Sequence, residues 1–557
     1  MLVLEDYTAH SSLEDPRAAF MLDIKEHTAS DYPAYHTLAS SPQHHTAQKS
    51  SFSWDPSSDP SSSWFYTSAR LILSVVSSLF SMLAPGNYMA DKSGRHTAKI
   101  TSLDGLRGIA CLFVFHAHYA YSFGNCLEEA EPEILSKRFM YQPFISLTWS
   151  GIAMVDVFFV ISGYVLVSKP LRLLYSQNVA GALSTISSAV FRRAFRLYLP
   201  SMAIILVASI MTSLNLFEAG SVFYDQTHDG VRGPQEQPTS RVGPFMVQLY
   251  SGFKDCYRLV DNTVPWGKAN FPYESEEMAR PSGIIYDRHL WTIPVEFRCS
   301  MLIFAILVGT VRIRPRWRLG IHLIFFLNCL FTERFPESLF LAGMILAEVD
   351  TIQHQKSNDS LYAVRPQHTH ELKLSGEGYA RPWPVTRFQP CFRELLGLLM
   401  FVPGLFLLSI PPQRTEQYPA FSSILMMVPR YLWEKDRFIR AIGAIMVTWP
   451  VATSSIIAPL FTNAFANYLG QISFALYLVH GSLIKSVWYW LQPKLITMIN
   501  PDVTSVLSTQ QFINLWLSGY IVMLALVLLC AHIFHKAIDE RSVTFARWVA
   551  GKLQANS

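Results

Sequence analysis

Residues 103–118 read Leu103-Asp104-Gly105-Leu106-Arg107-Gly108-Ile109-Ala110-Cys111-Leu112-Phe113-Val114-Phe115-His116-Ala117-His118. This run is too apolar for an exposed surface and too long for a buried strand, and it carries one arginine and two histidines inside it. A hydrocarbon core of roughly 30 Å takes about 20 residues of helix. An ionisable group inside such a span is costly, so it usually faces a cavity or a partner. At about 100° per residue, Arg107 and His118 fall within about 20° of the same helix face, separated by roughly 16 Å along the axis. His116 falls on the opposite face. Helix geometry therefore pairs Arg107 with His118 and leaves His116 to helix packing.

Comparable runs follow along the chain. Candidate spans lie near 103–123, 151–168, 195–217, 290–310, 318–331, 338–350, 394–410, 441–461, 470–491 and 512–534. The 557-residue chain is 50% hydrophobic and only 15% charged, against about 25% charged in soluble domains. Its mean hydropathy is +0.22. The expected fold is an all-α membrane protein, a bundle of about ten transmembrane helices with a disordered N-terminal tail. The net charge of +4 is spread along the chain, which argues against nucleic acid as a partner and leaves membrane lipid as the surrounding solvent.

Four segments divide the sequence. Residues 1–65 are rich in Ser, His and Pro without periodicity and read as the disordered tail. Residues 66–97 read as an interfacial helix and linker, with Trp64–Leu83 apolar but Ser-rich. The membrane domain runs over 98–535, and 536–557 form a C-terminal tail. No cleavable signal peptide is visible. No internal repeat stands out, which weakens an inverted-repeat transporter reading.

Basic residues flanking short loops set the orientation. Lys92, Arg95 and Lys99 precede the first span, and Glu128, Glu129, Glu131 and Glu133 follow it. Arg172, Arg192, Arg193 and Arg196 lie between the second and third spans; Arg312, Arg314, Arg316 and Arg318 lie between the fourth and fifth. This alternation puts both termini in the cytosol and the 218–289 loop on the other side. The seven cysteines include no Cys-x-x-Cys pair, so neither a zinc site nor a thioredoxin-like motif is expected. Cys126 and Cys256 share the non-cytosolic side, where a disulfide and two unrelated thiols both remain open.

Further chemistry sits in four places. Asp156, in Val155-Asp156-Val157-Phe158-Phe159-Val160-Ile161-Ser162-Gly163-Tyr164, could orient or charge-balance a histidine. Arg193 and Arg196 are one turn apart at the cytosolic edge, where two guanidiniums can grip phosphate or simply anchor the helix. Glu296, in His289-Leu290-Trp291-Thr292-Ile293-Pro294-Val295-Glu296-Phe297-Arg298, enters from the non-cytosolic side to a depth comparable to His118, or pairs with Arg298. Ser473, Tyr477 and His480 are spaced i, i+4, i+7, a polar stripe on one helix face that would line a cavity or join two helices. No Gly-x-Ser-x-Gly elbow or metal-binding signature is present.

Together these segments, with Arg193-Ala194-Phe195-Arg196 and Ile472-Ser473-Phe474-Ala475-Leu476-Tyr477-Leu478-Val479-His480, resemble acyltransferase family 3 of integral membrane proteins, in its fungal branch. The resemblance covers roughly 98–535. The family's arginine, ten residues, then essential histidine maps onto Arg107 and His118, and its paired-arginine motif onto Arg193 and Arg196. The resemblance implies an O-acyltransferase that moves an acyl group, commonly acetyl, from acetyl-CoA or another acyl-CoA to a hydroxyl of a small molecule, glycan or lipid. It implies no metal. His118 would act as general base or be acylated first. Asp156 or Glu296 would hold the imidazole, and Arg107, Arg193 and Arg196 would bind the cofactor. The insertions at 218–289 and 350–393 depart from the family and would shape acceptor choice. The sequence flavour suggests a fungal endomembrane protein (endoplasmic reticulum, with the plasma membrane as the other candidate) and secondary metabolism as its setting. The alternative from another class is a proton-coupled multi-pass transporter, which would leave its substrate chemically unchanged.

Overall fold

A computed structural model describes residues 97–123, 142–218, 239, 241–261, 284–363, 390–411, 415, 418–500 and 508–553. The expected tail over 1–65, the Trp64–Leu83 segment and Cys126 lie outside the described residues. Within them the chain is helical, with no strand. In order, the helices are α1 (Thr97–Tyr121), α2 (Gly151–Tyr175), α3 (Val179–Ser213), α4 (Phe245–Asp261), α5 (Thr292–Gly309), α6 (Pro315–Phe331) and α7 (Phe335–Ala363). They continue as α8 (Pro390–Leu408), α9 (Pro419–Leu425), α10 (Lys435–Thr453), α11 (Ala464–Leu483), α12 (Tyr489–Ile499), α13 (Thr509–Phe534) and α14 (Glu540–Leu553). Single π-helical turns at Ile484–Trp488 and His535–Asp539 join α11 to α12 and α13 to α14.

Each expected span coincides with a helix, but the membrane reading is narrower than ten. Among the described residues, four helical stretches are long and apolar enough to cross a bilayer: Gly151–Tyr175, Val179–Ser213, Arg288–Gly309 and Gln510–Lys552. Length explains one shortfall. At 17 residues, α6 reaches only about 25 Å at 1.5 Å per residue. Polar side chains explain another, since α1 carries Asp104 and Arg107 within its apolar run.

Local sequence sets the helix ends. Asn178 caps α3 by accepting from the Gly181 N–H at 2.8 Å, and Asn463 caps α11 through the Ala466 N–H at 2.9 Å. Ser508 and Gln511 form a reciprocal capping box at the start of α13. The amphipathic α4 lies in the long loop before α5, where Cys256 stands as a buried free thiol. Residues 540–553 of the expected C-terminal tail form α14, which packs on α3.

Packing brings α1 against α11 at glycines. A Cβ added to Gly108 would lie 2.3 Å from the Gly470 nitrogen, and one on Gly470 would lie 2.4 Å from the Asp104 carbonyl oxygen. Only glycine permits two backbones to approach that closely, so the side chains facing across this crossing converge.

A buried ionic group locks other helices. Arg318 Nε of α6 meets Glu348 of α7 at 2.7 Å, and His322 lies 3.0 Å from the same carboxylate. Tyr175, at the end of α2, donates to that carboxylate at 3.2 Å. The end of α2, the start of α6 and the middle of α7 thus meet on one side of the bundle. Removing one partner from such a group would leave a buried charge uncompensated, typically at 3–5 kcal/mol.

Candidate active site

His118, near the end of α1, points its Nδ1 at Nε2 of His289 across 3.1 Å. His289 lies in a single 3-10 turn, Arg288–Trp291, immediately before α5. Its Nδ1 in turn lies 2.6 Å from Asp287 Oδ1, which also accepts from the His289 backbone N–H at 3.1 Å. Asp287 is fully buried. The fixed charge assigns the tautomers by hydrogen-bond logic. Asp287 can only accept, so His289 carries its proton on Nδ1 and accepts on Nε2. His118 therefore donates from Nδ1 and keeps the lone pair on Nε2.

Burial pushes the Asp287 carboxyl up, but the His289 imidazole outweighs it, with help from Lys485 and His480, and holds the group down to about 2. Lys485 of the π turn after α11 brings its buried ammonium 4.0 Å from Asp287 Oδ1. The anion at the end of this chain is thus permanent at any physiological pH.

His480, the last member of the Ser473–Tyr477–His480 stripe, completes a trio. Its ring centroid is 5.2 Å from that of His118 and 4.8 Å from that of His289. The glycine after it makes room for His289: a Cβ on Gly481 would lie 2.5 Å from His289 Nδ1. Tyr477 donates its hydroxyl to the His289 carbonyl and accepts from Thr292 at 2.7 Å. The stripe therefore fixes the turn that carries His289.

One nitrogen from each imidazole lies within 4.8 Å of the others, so the trio could hold a cation. Tetrahedral zinc with nitrogens at 2.0–2.1 Å would need all three about 3.3 Å apart. Here the facing nitrogens of His118 and His289 are already engaged in a hydrogen bond, and Asp287 has the place of the outer partner that orients a ligand histidine.

On the other side of Tyr477 lies a cavity of about 590 Å³, within the size range of ligand pockets. Its apolar wall comes from α2, including Val155, Phe158, Phe159 and Val165, and from Phe474. Its polar wall holds Arg107, Arg193, Arg196, Glu296, Ser473 and Tyr477, joined by His535, Asp539, Glu540 and Arg547 from the C-terminal end.

The residues singled out from sequence fall into three groups. His118, Tyr477 and His480 meet in the trio and its support. Arg107, Arg193, Arg196, Glu296 and Ser473 share the cavity, but most are committed to protein partners. Arg107 donates to the Gly470 carbonyl at 2.8 Å and to Ser473 at 3.0 Å, and lies 3.1 Å from Asp104. Arg193 meets Glu296 at 2.5 Å and Ser300 at 2.6 Å. Glu296 therefore partners Arg193, with Ser162 at 3.3 Å, and does not touch the imidazole. Arg196 is exposed to the cavity and has no carboxylate within 4 Å among the described residues.

Asp156 forms the third group alone. It is buried 3.9 Å from Arg440 of α10, which also meets Asp436 at 2.8 Å. Its ion pair joins α2 to α10, and the carboxylate that meets the imidazole chain is Asp287. His116 packs among Trp149, Trp516 and Tyr520 at ring-centroid distances of 4.7–5.4 Å, as its helix face requires. Asp287, His289 and Lys485 escaped the sequence reading because they lie in irregular turns where no helical period applies. The available signals were an Asp-x-His pair directly before an apolar span and a lysine inside the expected 470–491 span.

Residues 100–534 match the Acyltransferase domain model of acyltransferase family 3. The chain belongs to this family. It is an acyltransferase, and its curated relatives are fungal. An O-acetyltransferase of Phomopsis amygdali, PaAT-1, is 29% identical over 457 residues, covering 81% of this chain and 84% of its own. Acyltransferase R4 of Phoma sp. is 24% identical over 474 residues, covering 79% and 93%. Acyltransferase clz18 of Cochliobolus lunatus is 24% identical over 424 residues, covering 70% and 84%. No solved structure matches the chain. Family membership sets aside the transporter reading, since these proteins share an acyl-transfer domain.

Proposed function

We propose that this acyltransferase is an integral membrane O-acyltransferase that moves an acyl group, with acetyl the favoured case, from acyl-CoA to a hydroxyl of a small-molecule, glycan or lipid acceptor. Within that range we take a fungal secondary metabolite as the acceptor class, the relatives being fungal acyltransferases. The observation that carries the reading is the Asp287–His289–His118 chain, set one tyrosine away from an arginine-lined cavity.

In this reaction His118 Nε2 takes the proton of the acceptor hydroxyl as its oxygen attacks the thioester carbonyl. The imidazolium that forms donates from Nδ1 to His289, whose own proton is held by Asp287, so the new charge faces a buried anion. Collapse breaks the C–S bond. His118 returns its proton to the departing thiolate, and an ester and free CoA remain. Tyr477 and Thr292 stand at the end of the cavity nearest the histidines, where the thioester would arrive. The apolar α2 wall suits the pantetheine arm, and Arg196, with no carboxylate within 4 Å among the described residues, suits phosphate.

The same reading places the cavity on the cytosolic side, with both termini, and the histidine trio toward the lumen. Support comes from the helix order: the end of α2 and the start of α6 meet Glu348, which lies near the end of the expected 338–350 span, as alternating spans require. A bundle of about ten spans in an endomembrane is part of this proposal.

The test is label transfer. Purified protein in lipid nanodiscs, given isotopically labelled acetyl-CoA and fractionated extract from a deletion strain, should pass label to a hydroxyl-bearing molecule that lacks the acyl group in that strain. Retention of all label on CoA in every fraction, with CoA bound by the protein, would overturn the acceptor chemistry.

A further inference from the structure

The family match ends at residue 534, yet the cavity wall does not. His535 and Asp539 of the π turn line it, followed by Glu540, Val543, Thr544 and Arg547. The last four are spaced i, i+3, i+4, i+7 and so form one continuous face of α14. On α14, Phe545 sets its ring perpendicular to Phe195 of α3 at 5.6 Å. Phe195 is the residue before Arg196, so this contact seats α14 beside the second arginine of the Arg193–Arg196 pair.

Charge accounting within the cavity isolates two groups. Each carboxylate in its wall is engaged: Glu296 by Arg193 at 2.5 Å, Asp539 by His535 at 2.8 Å and Glu540 by Lys536 at 2.6 Å. Arg107 is held by Asp104 and by α11. Among the described residues, Arg196 and Arg547 are the cavity guanidiniums with no carboxylate within 4 Å. Two guanidiniums without a carboxylate within 4 Å, on helices that pack together and line one cavity with an apolar wall, suit a polyanion with an apolar arm.

We propose that α14 is part of the donor site and that Arg547, acting with Arg196, binds the phosphates at the nucleotide end of the acyl donor. The proposal rests on the acyl-CoA reading above and adds to it a binding residue outside the family domain. The donor would lie with its phosphates between α3 and α14 and its acyl end toward Tyr477. Because α14 is a short helix joined to α13 by a π turn, it forms a wall that only the intact C-terminus can supply.

The experiment measures equilibrium binding of CoA alone to full-length protein in nanodiscs, for wild type, Arg547→Gln and Arg541→Gln. Arg541 is exposed on the same helix and does not line the cavity, so its variant controls for general loss of positive charge. Arg547→Gln should weaken CoA at least tenfold with its thermal midpoint unchanged, Arg541→Gln should bind as wild type, and Arg547→Lys should recover part of the affinity. Unchanged affinity in Arg547→Gln, or equal weakening in both glutamine variants, overturns the proposal while leaving the donor reading in place. Failure of the wild-type protein to bind CoA removes the donor reading itself, and the role of Arg547 with it.

Discussion

Asp287→Asn tests the imidazole chain where it is most exposed to disproof. The substitution keeps the size of the side chain and removes its charge. Along the relay, 2.6 Å from carboxylate to His289 and 3.1 Å from His289 to His118, the anion lies about 8 Å from the site of positive charge in the transition state. At an effective dielectric of about 20 that interaction is worth roughly 2 kcal/mol, or about 30-fold in rate. Loss of the tautomer it enforces would add to this, and an analogous Asp→Asn change in a serine protease triad costs about 10⁴. The assay is the rate of CoA release by purified enzyme with its acceptor, read as kcat. Lys485 complicates the single variant, because its buried ammonium loses the carboxylate 4.0 Å away and an uncompensated buried charge destabilises a fold. The double variant Asp287→Asn/Lys485→Met removes both charges. It should regain thermal stability and stay at least 30-fold slow. Activity within twofold of wild type in the single variant, or full recovery in the double, would refute the relay.

Other perturbations separate chemistry from packing. His118→Ala should abolish transfer with abundance intact, whereas His116→Ala, which only empties an aromatic box, should keep most activity; equal losses would sink the assignment of His118. Gly481→Ala puts a methyl 2.5 Å from His289 Nδ1, a clash of the kind that typically costs 1–3 kcal/mol, so kcat should drop more than tenfold; a wild-type rate would show that the His289 position does not matter. Arg196→Gln should raise the KM for acyl-CoA about tenfold through loss of a charge-assisted contact without moving the thermal midpoint. Arg193→Gln strands Glu296 and should lower that midpoint, and identical behaviour of the two variants would contradict the division between a binding and a structural arginine.

The helical class, the positions of the helices and several of the residues that meet at the site were legible in the chain itself. The reason is locality. Arg107, His116 and His118 on α1, and Ser473, Tyr477 and His480 on α11, are related by the helical period, which depends only on sequence separation. That period correctly put His116 on a packing face and the stripe on a face of its own. Partner choice has no such local rule. Glu296 pairs with Arg193 and Asp156 lies beside Arg440 because of which helices adjoin and at what height, a matter settled by glycine crossings and buried charge groups hundreds of residues apart. Asp287 caps the 3-10 turn that carries His289, and Lys485 lies in a π turn, where no period marks a face. Only folding brings them to His118, because a buried imidazole must find hydrogen-bond partners wherever the neighbouring turns supply them. The same holds for Arg547, which becomes a cavity residue only when α14 packs on α3.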